Sequence, residues 1–149
     1  RIPIGVVVGI CPWNFPFFVM ARKVAPALLT GNTIVIKPSS VTPVVSFEIA
    51  GIFKKVGLPA GVANVITGAG KTLGDALCRS FIPGIVSLTG SVGAGTLIQT
   101  QTAANLTKTS LELGGKGPAI VCPDADLELA AKCVTDSRLI FSGSVMITR

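Results

Sequence analysis

Runs of valine and isoleucine alternate with helix-spaced apolar positions along the whole chain. "IPIGVVVGI" (2–10) reads as a buried strand and "FFVMARKVAPALL" (17–29) as a helix. "NTIVIKP" (32–38) is strand-like again, and Thr42 with Pro43 then predicts an N-cap followed by proline at the first helical position. That helix carries Val45, Ile49, Ile52, Phe53 and Val56 on one face, at spacings of 4, 7, 8 and 11 from the first. Further strands are predicted at 61–68, 84–91, 108–113 and 118–123. Helices fit at about 71–79, 93–105 and 126–140, the last entered through Asp124 or Asp126 as N-cap. Repeated strand–helix–strand units imply an α/β fold with a doubly wound, mainly parallel, Rossmann-like sheet. In such sheets ligands lie outside the carboxyl ends of the strands, so the loops there are the places to search.

Composition narrows the classes. The 149 residues are 49% hydrophobic and the mean hydropathy is +0.70. Even so, charged residues, glycine and proline interrupt every candidate membrane span. The N-terminal charge and apolar run resemble a leader but pass straight into Trp13 and Asn14 with no small-residue cleavage site. The hydropathy fits buried parallel strands. The net charge of +6 is scattered; the doublets Arg22-Lys23 and Lys54-Lys55 lie in helical patterns and are expected to face solvent. That distribution argues against a nucleic-acid partner and for a small phosphate-bearing ligand. Cys11, Cys78, Cys122 and Cys133 show no CxxC spacing and no disulfide framework, which points to a reducing, cytoplasmic setting. The absence of histidine removes Ser-His-Asp and Cys-His pairs and histidine metal sites, and no metal site is expected.

Five loops hold candidate chemistry. In "CPWNFP" (11–16), Asn14 sits between prolines and aromatics; its amide could donate to a developing oxyanion or cap the following helix. In "KPSSVTP" (37–43), Lys37 could hold a ribose hydroxyl or phosphate, or could snorkel, and Ser39 and Ser40 offer hydroxyls. "TGAGKT" (67–72) has the second half of a P-loop, but Val65 stands where the first glycine belongs. "TGSVGAG" (89–95) between strand and helix suits a pyrophosphate at a helix N-terminus, or a tight packing turn, and it is not GxGxxG. In "LELGGK" (111–116), Glu112 ends an apolar strand. Buried there, its pKa would rise and suit a general base; the alternative is a pair with Lys116.

"PWNFP", "GNTIVIKPS", "GLPAGVANVITG", "TGSVGAG" and "LELGGK" stand in the order and spacing of the aldehyde dehydrogenase superfamily, which residues 3–140 resemble. The wording is nearest to the lactaldehyde and glycolaldehyde dehydrogenase branch. The resemblance implies Asn14 as oxyanion donor and Glu112 as the base that activates water. It implies a coenzyme site at Ile10, Cys11, Pro12, Trp13, Lys37, Ser39, Ser40, Gly68, Thr89, Gly90, Ser91, Gly95, Leu113 and Gly114. Lys37 would contact the adenosine ribose, Ser91 the pyrophosphate, while Gly68 and Gly90 allow close approach. Residues 1–114 would form the NAD(P)-binding domain and 115–149, after a hinge at "GGKGP", the start of a catalytic domain.

By resemblance, a thiolate attacks a small aldehyde, hydride passes to NAD or NADP, and water releases a carboxylic acid. The intact enzyme would be a homo-oligomer, dimer or tetramer, and the family's chain would run beyond both ends of this one. Two departures stand out. Ser40 replaces a glutamate common in NAD-preferring members, so NADP is expected to be tolerated. Aligning Ser142 and Gly143 on the nucleophile segment puts Met146 where cysteine is expected; a thioether cannot form the thioester. Phe141, Ser144 and Ile147 are also off-pattern. The nearest thiols in sequence, Cys122 and Cys133, read as core residues. This chain is therefore expected to be inactive. A non-catalytic nucleotide-binding relative is the alternative, and a reductase of acyl phosphates or acyl thioesters a third reading.

Overall fold

A computed structural model describes residues 2–115 and 117–140. Lys116 and residues 141–149, with Ser142, Gly143, Ser144, Met146 and Ile147, lie outside the described residues. Two compact units divide at Glu112 and Leu113.

The first unit is built on five parallel strands: β1 (Val6–Ile10), β2 (Thr33–Lys37), β3 (Ala63–Val65), β4 (Pro83–Thr89) and β5 (Lys108–Glu112). Their spatial order is β3-β2-β1-β4-β5. β1 is central, with Val8 opposite Val35 on one side and Val86 on the other. Parallel neighbours require crossovers, and these are helices: α1 (Pro16–Leu29), α2 (Val44–Lys55), α3 (Asp75–Arg79) and α4 (Val92–Ala103). α1 and α2 pack together on β1, β2 and β3, whereas α3 and α4 pack together with β4 and β5. From β1 the chain winds outward through β2 to β3, then returns to β4 and winds the other way. Right-handed crossovers therefore put the two helix pairs on opposite faces. The reversal falls between β1 and β4.

On the α1 face the core gathers Val7, Val19, Met20, Val24, Ile34, Ile36 and Ile49. On the other face Val8, Val86, Leu88, Ile98 and Cys78 are buried. Glycine at position 9 is dictated by packing. A Cβ there would lie 2.6 Å from Ile36 Cδ1 and 3.2 Å from Lys23 Cδ. Asn32 ties the start of β1 to the end of α1. Its Oδ1 accepts from the backbone N–H of Ile4 (2.6 Å) and Gly5 (2.9 Å), and its Nδ2 donates to Ala27 O and Thr30 Oγ1.

Several sequence expectations need correction. α2 begins at Val44 with Pro43 at the cap position, and Thr42 Oγ1 donates to the Trp13 carbonyl at 3.2 Å instead of capping. Its buried side is Ser46, Ile49 and Phe53, while Ile52 and Val56 of the predicted face are exposed. The helix expected at 71–79 is a π-helical turn, Gly70–Gly74, running into short α3. Lys23, expected in solvent, is buried.

In the second unit α5 (Leu127–Leu139) starts at Asp126, whose Oδ1 accepts from the N–H groups of Glu128 (3.0 Å) and Leu129 (3.1 Å). The strand predicted at 118–123 does not form: those residues are irregular after an isolated bridge at Gly117. An extended segment is stabilised as a strand only when a neighbour takes its hydrogen bonds. Cys122 and Cys133 are exposed rather than core residues: Cys122 lies in the irregular segment, and α5, which carries Cys133, buries none of its residues among those described. No helix among the described residues is long and apolar enough to cross a membrane.

Candidate functional site

The reversal between β1 and β4 opens a crevice beyond the carboxyl ends of the strands, where doubly wound sheets hold ligands. Hydrogen bonds lace the loops together on each side of it. The Cys11 N–H donates to Lys37 O at 3.1 Å, joining the loop after β1 to the end of β2. Ser40 Oγ donates to Gly68 O at 3.3 Å, joining the loops after β2 and β3. On the other side the Gly90 N–H donates to Glu112 O at 3.0 Å.

Ile10 ends β1 half-buried, and Cys11 is buried beyond it. Pro12 is half-buried and Trp13 exposed. Asn14 is half-buried one residue before Phe15, which occupies the α1 cap position; Asn14 is therefore not the N-cap residue. Lys37 is buried, and its ammonium donates to Pro38 O at 3.2 Å. Ser39 Oγ accepts from the Val41 N–H at 3.3 Å.

Thr89 closes β4 and Gly90 follows, where a Cβ would stand 3.2 Å from Leu88 Cδ1. Ser91 is the N-cap of α4, its Oγ accepting from the Ala94 N–H at 3.2 Å. Gly95 is buried in the first turn of α4. The first turn of α4 thus carries Gly93, Ala94 and Gly95 after Val92, and a Cβ at Gly93 would meet nothing within 4 Å. Leu113 and Gly114 belong to the second unit.

Alternation along β4 splits its chemistry. Val86 and Leu88 go to the α4 face and are buried, whereas Ile85, Ser87 and Thr89 turn to the α1 face. There they line a cavity of about 350 Å³ with Arg22, Lys23, Ser110 and Glu112. Lys23 reaches across this cavity from α1, donating from Nζ to Ser87 Oγ at 2.8 Å. Burial pulls its pKa below the usual lysine value, with the charges of Cys11 and Glu112 opposing. Burial likewise lowers Lys37, with Cys11 opposing. The Cys11 thiol is pushed up to about 11 by burial, against the pull of Lys23 and Lys37, so it is a packed neutral thiol. Glu112 itself is exposed at the end of β5, without the burial the sequence reading assumed.

The structure therefore brings Asn14, Lys37, Ser39, Ser40, Gly68, Gly90, Ser91 and Glu112 to one edge of one sheet. Sequence reading missed Lys23 and Ser87. Lys23 was legible as the residue one turn before the buried Ala27 on the apolar face of α1.

The chain is similar to known proteins in sequence and in fold. The chain is 58% identical over 142 residues to lactaldehyde dehydrogenase of Escherichia coli K12, covering 95% of this chain and 30% of that protein. A crystal structure of the Escherichia coli lactaldehyde dehydrogenase superposes with a TM-score of 0.93 at 56% identity, covering 97% of this chain and 30% of that one. A 3,6-anhydro-L-galactose dehydrogenase in complex with NAP superposes with a TM-score of 0.91 at 48% identity, again over 97% and 30%. The chain thus spans about 30% of the length of the relatives it matches. The model of the aldehyde dehydrogenase family matches residues 1–148, and with the parallel sheet and its laced switch point the chain belongs to that family.

Proposed function

We propose that this chain is the coenzyme-binding part of an NAD(P)-dependent dehydrogenase that oxidises a small aldehyde, such as a short hydroxyaldehyde, to a carboxylic acid. The observation that carries the proposal is the convergence of the family's motif residues on the crevice between β1 and β4. The residues fit a dinucleotide: a start of α4 free of bulk at Gly90, Ser91 and Gly93, and Lys37 with Ser39 at the far side. When bound, the dinucleotide supplies the hydride acceptor. Lys37 offers its remaining ammonium hydrogens to the adenosine ribose, and the first turn of α4 offers backbone N–H groups to the pyrophosphate. Asn14 donates its amide to the oxygen that gains charge when the carbonyl carbon becomes tetrahedral. Glu112, open to water at the end of β5, draws a proton from the hydrolytic water.

Residues 115–149 open the second, catalytic domain on this reading, and the intact enzyme is a cytoplasmic homo-oligomer. With Met146 in the nucleophile position the chain binds coenzyme without turning aldehyde over. Titrating the chain with NAD and with NADP, then adding aldehyde and following reduced coenzyme, tests both halves. Binding of both nucleotides without reduction is expected. Failure to bind either removes the coenzyme reading, and Glu112-dependent reduction removes the claim of inactivity. Ser40→Glu places a carboxylate beside the ribose and is expected to weaken NADP at least tenfold while sparing NAD.

A further inference from the structure

Of the loops singled out in the sequence, "TGAGKT" is left without a role, although it stands at the coenzyme edge. Its fold is specific. The Thr72 and Leu73 N–H groups both donate to Ala69 O, and the π-helical turn folds back over Gly68. A Cβ on Gly68 would lie 3.0 Å from Leu73 Cβ and 2.9 Å from its Cδ2. The carbonyl of this same Gly68 accepts from Ser40 Oγ. A continuous set of contacts thus holds the turn carrying Lys71 against the loop carrying Ser39 and Ser40.

Lys71 is exposed and makes no hydrogen bond or ion pair among the described residues. The acid one turn on, Asp75, is already engaged by Arg79 Nε at 2.9 Å and by Gln101 Nε2. "KPSSVTP" and "TGAGKT" contain no carboxylate. The loops after β2 and β3 therefore present a buried lysine, the hydroxyls of Ser39 and Ser40 and an exposed lysine, with no acid of their own. Lys37 is committed by burial and by Pro38 O, which leaves it suited to a ribose hydroxyl close to the strand. A dianion further out calls for a flexible, hydrated cation, which Lys71 provides.

We infer that Lys71 is a specificity-determining residue that recognises a phosphate on the 2′ position of the adenosine ribose. This rests on the dinucleotide reading above and extends it to a residue that reading does not use. The test is calorimetric titration of the chain with adenosine 2′,5′-bisphosphate and with adenosine 5′-monophosphate, for wild type, Lys71→Gln and Lys54→Gln. Lys54 is an exposed lysine on α2 that controls for net charge. Wild type is expected to bind the bisphosphate more tightly. Lys71→Gln should lose about three- to fivefold on the bisphosphate alone, the upper range for an exposed ion pair, and Lys54→Gln should lose nothing. Equal loss on both probes, equal loss in Lys54→Gln, or no preference in wild type overturns the role of Lys71 and leaves the nucleotide site standing. A wild type that binds neither probe overturns both.

Discussion

At the residue scale, the most constrained point is the meeting of Gly9, Cys11 and Lys23 under α1. Gly9→Ala would drive a methyl toward Ile36 and the Lys23 stem. We expect a loss of about 1–3 kcal/mol, read as a lower midpoint in urea. Cys11 gives a pH prediction with a definite sign. Its folded pKa is raised from 9.0 to about 11, so the stability it contributes is complete below pH 9 and is lost as pH rises through 11. Lys23 and Lys37, whose pKa values are lowered, act in the opposite direction as pH rises toward 10.5. Comparison with Cys11→Ala isolates the thiol. The variant should recover roughly 2–3 kcal/mol relative to wild type between pH 8 and 11. A thiol reagent at pH 8 should label the exposed Cys122 and Cys133 and spare Cys11 and Cys78 until denaturant is added.

These residues also mark where sequence reading stops. The doublet Arg22-Lys23 looks like one polar surface, yet consecutive helix positions point about 100° apart, and Arg22 is exposed while Lys23 is buried. Glu112 fails in the other direction. Alternation on β5 reads as an apolar strand end, but β5 is an edge strand and Glu112 at its carboxyl end is exposed.

At the scale of elements, the five strands and the helices α1, α2, α4 and α5 were legible from their periodicity, with ends shifted by a few residues. What was not legible depended on partners. Residues 118–123 have strand composition but no ladder to join, and the segment 70–79 has helical spacing but opens into a π turn where Leu73 settles over Gly68. Ser91 reads both ways at once: a cap in this structure and a pyrophosphate ligand in the proposed function. Ser91→Ala should cost about 1 kcal/mol in stability, whereas Ser91→Gly should cost only a few tenths. Comparing nucleotide affinity in the two variants separates the cap from the ligand: loss in both assigns a binding role to the hydroxyl, and loss in Ser91→Ala alone assigns it to the helix. Asn32 shows a third kind of omission. Nothing in "TGNTIV" announces an amide that satisfies two strand N–H groups, and Asn32→Leu should cost about 1–3 kcal/mol by leaving them bare.

At the scale of the whole molecule, doubly wound topology was readable from the alternation of elements, while the strand order required the pairings themselves. The surface carries many large apolar side chains, among them Phe17, Phe18, Phe47, Phe81, Ile82 and Leu97. Such patches drive association. Light scattering of the chain should show mass rising with concentration, and Phe81→Lys with Leu97→Lys should reduce it.

The central place of β1 has a further consequence, for the order of events during synthesis. Val8 finds one neighbour at Val35, 27 residues later, but the other at Val86, 78 residues later. As the chain emerges, β1, β2 and β3 complete a three-stranded unit while the β4 side of "VVVGI" still offers bare N–H and carbonyl groups. At about 5–20 residues per second that edge stays open for several seconds. The most apolar strand of the protein is therefore the one that nascent-chain chaperones have the longest opportunity to meet.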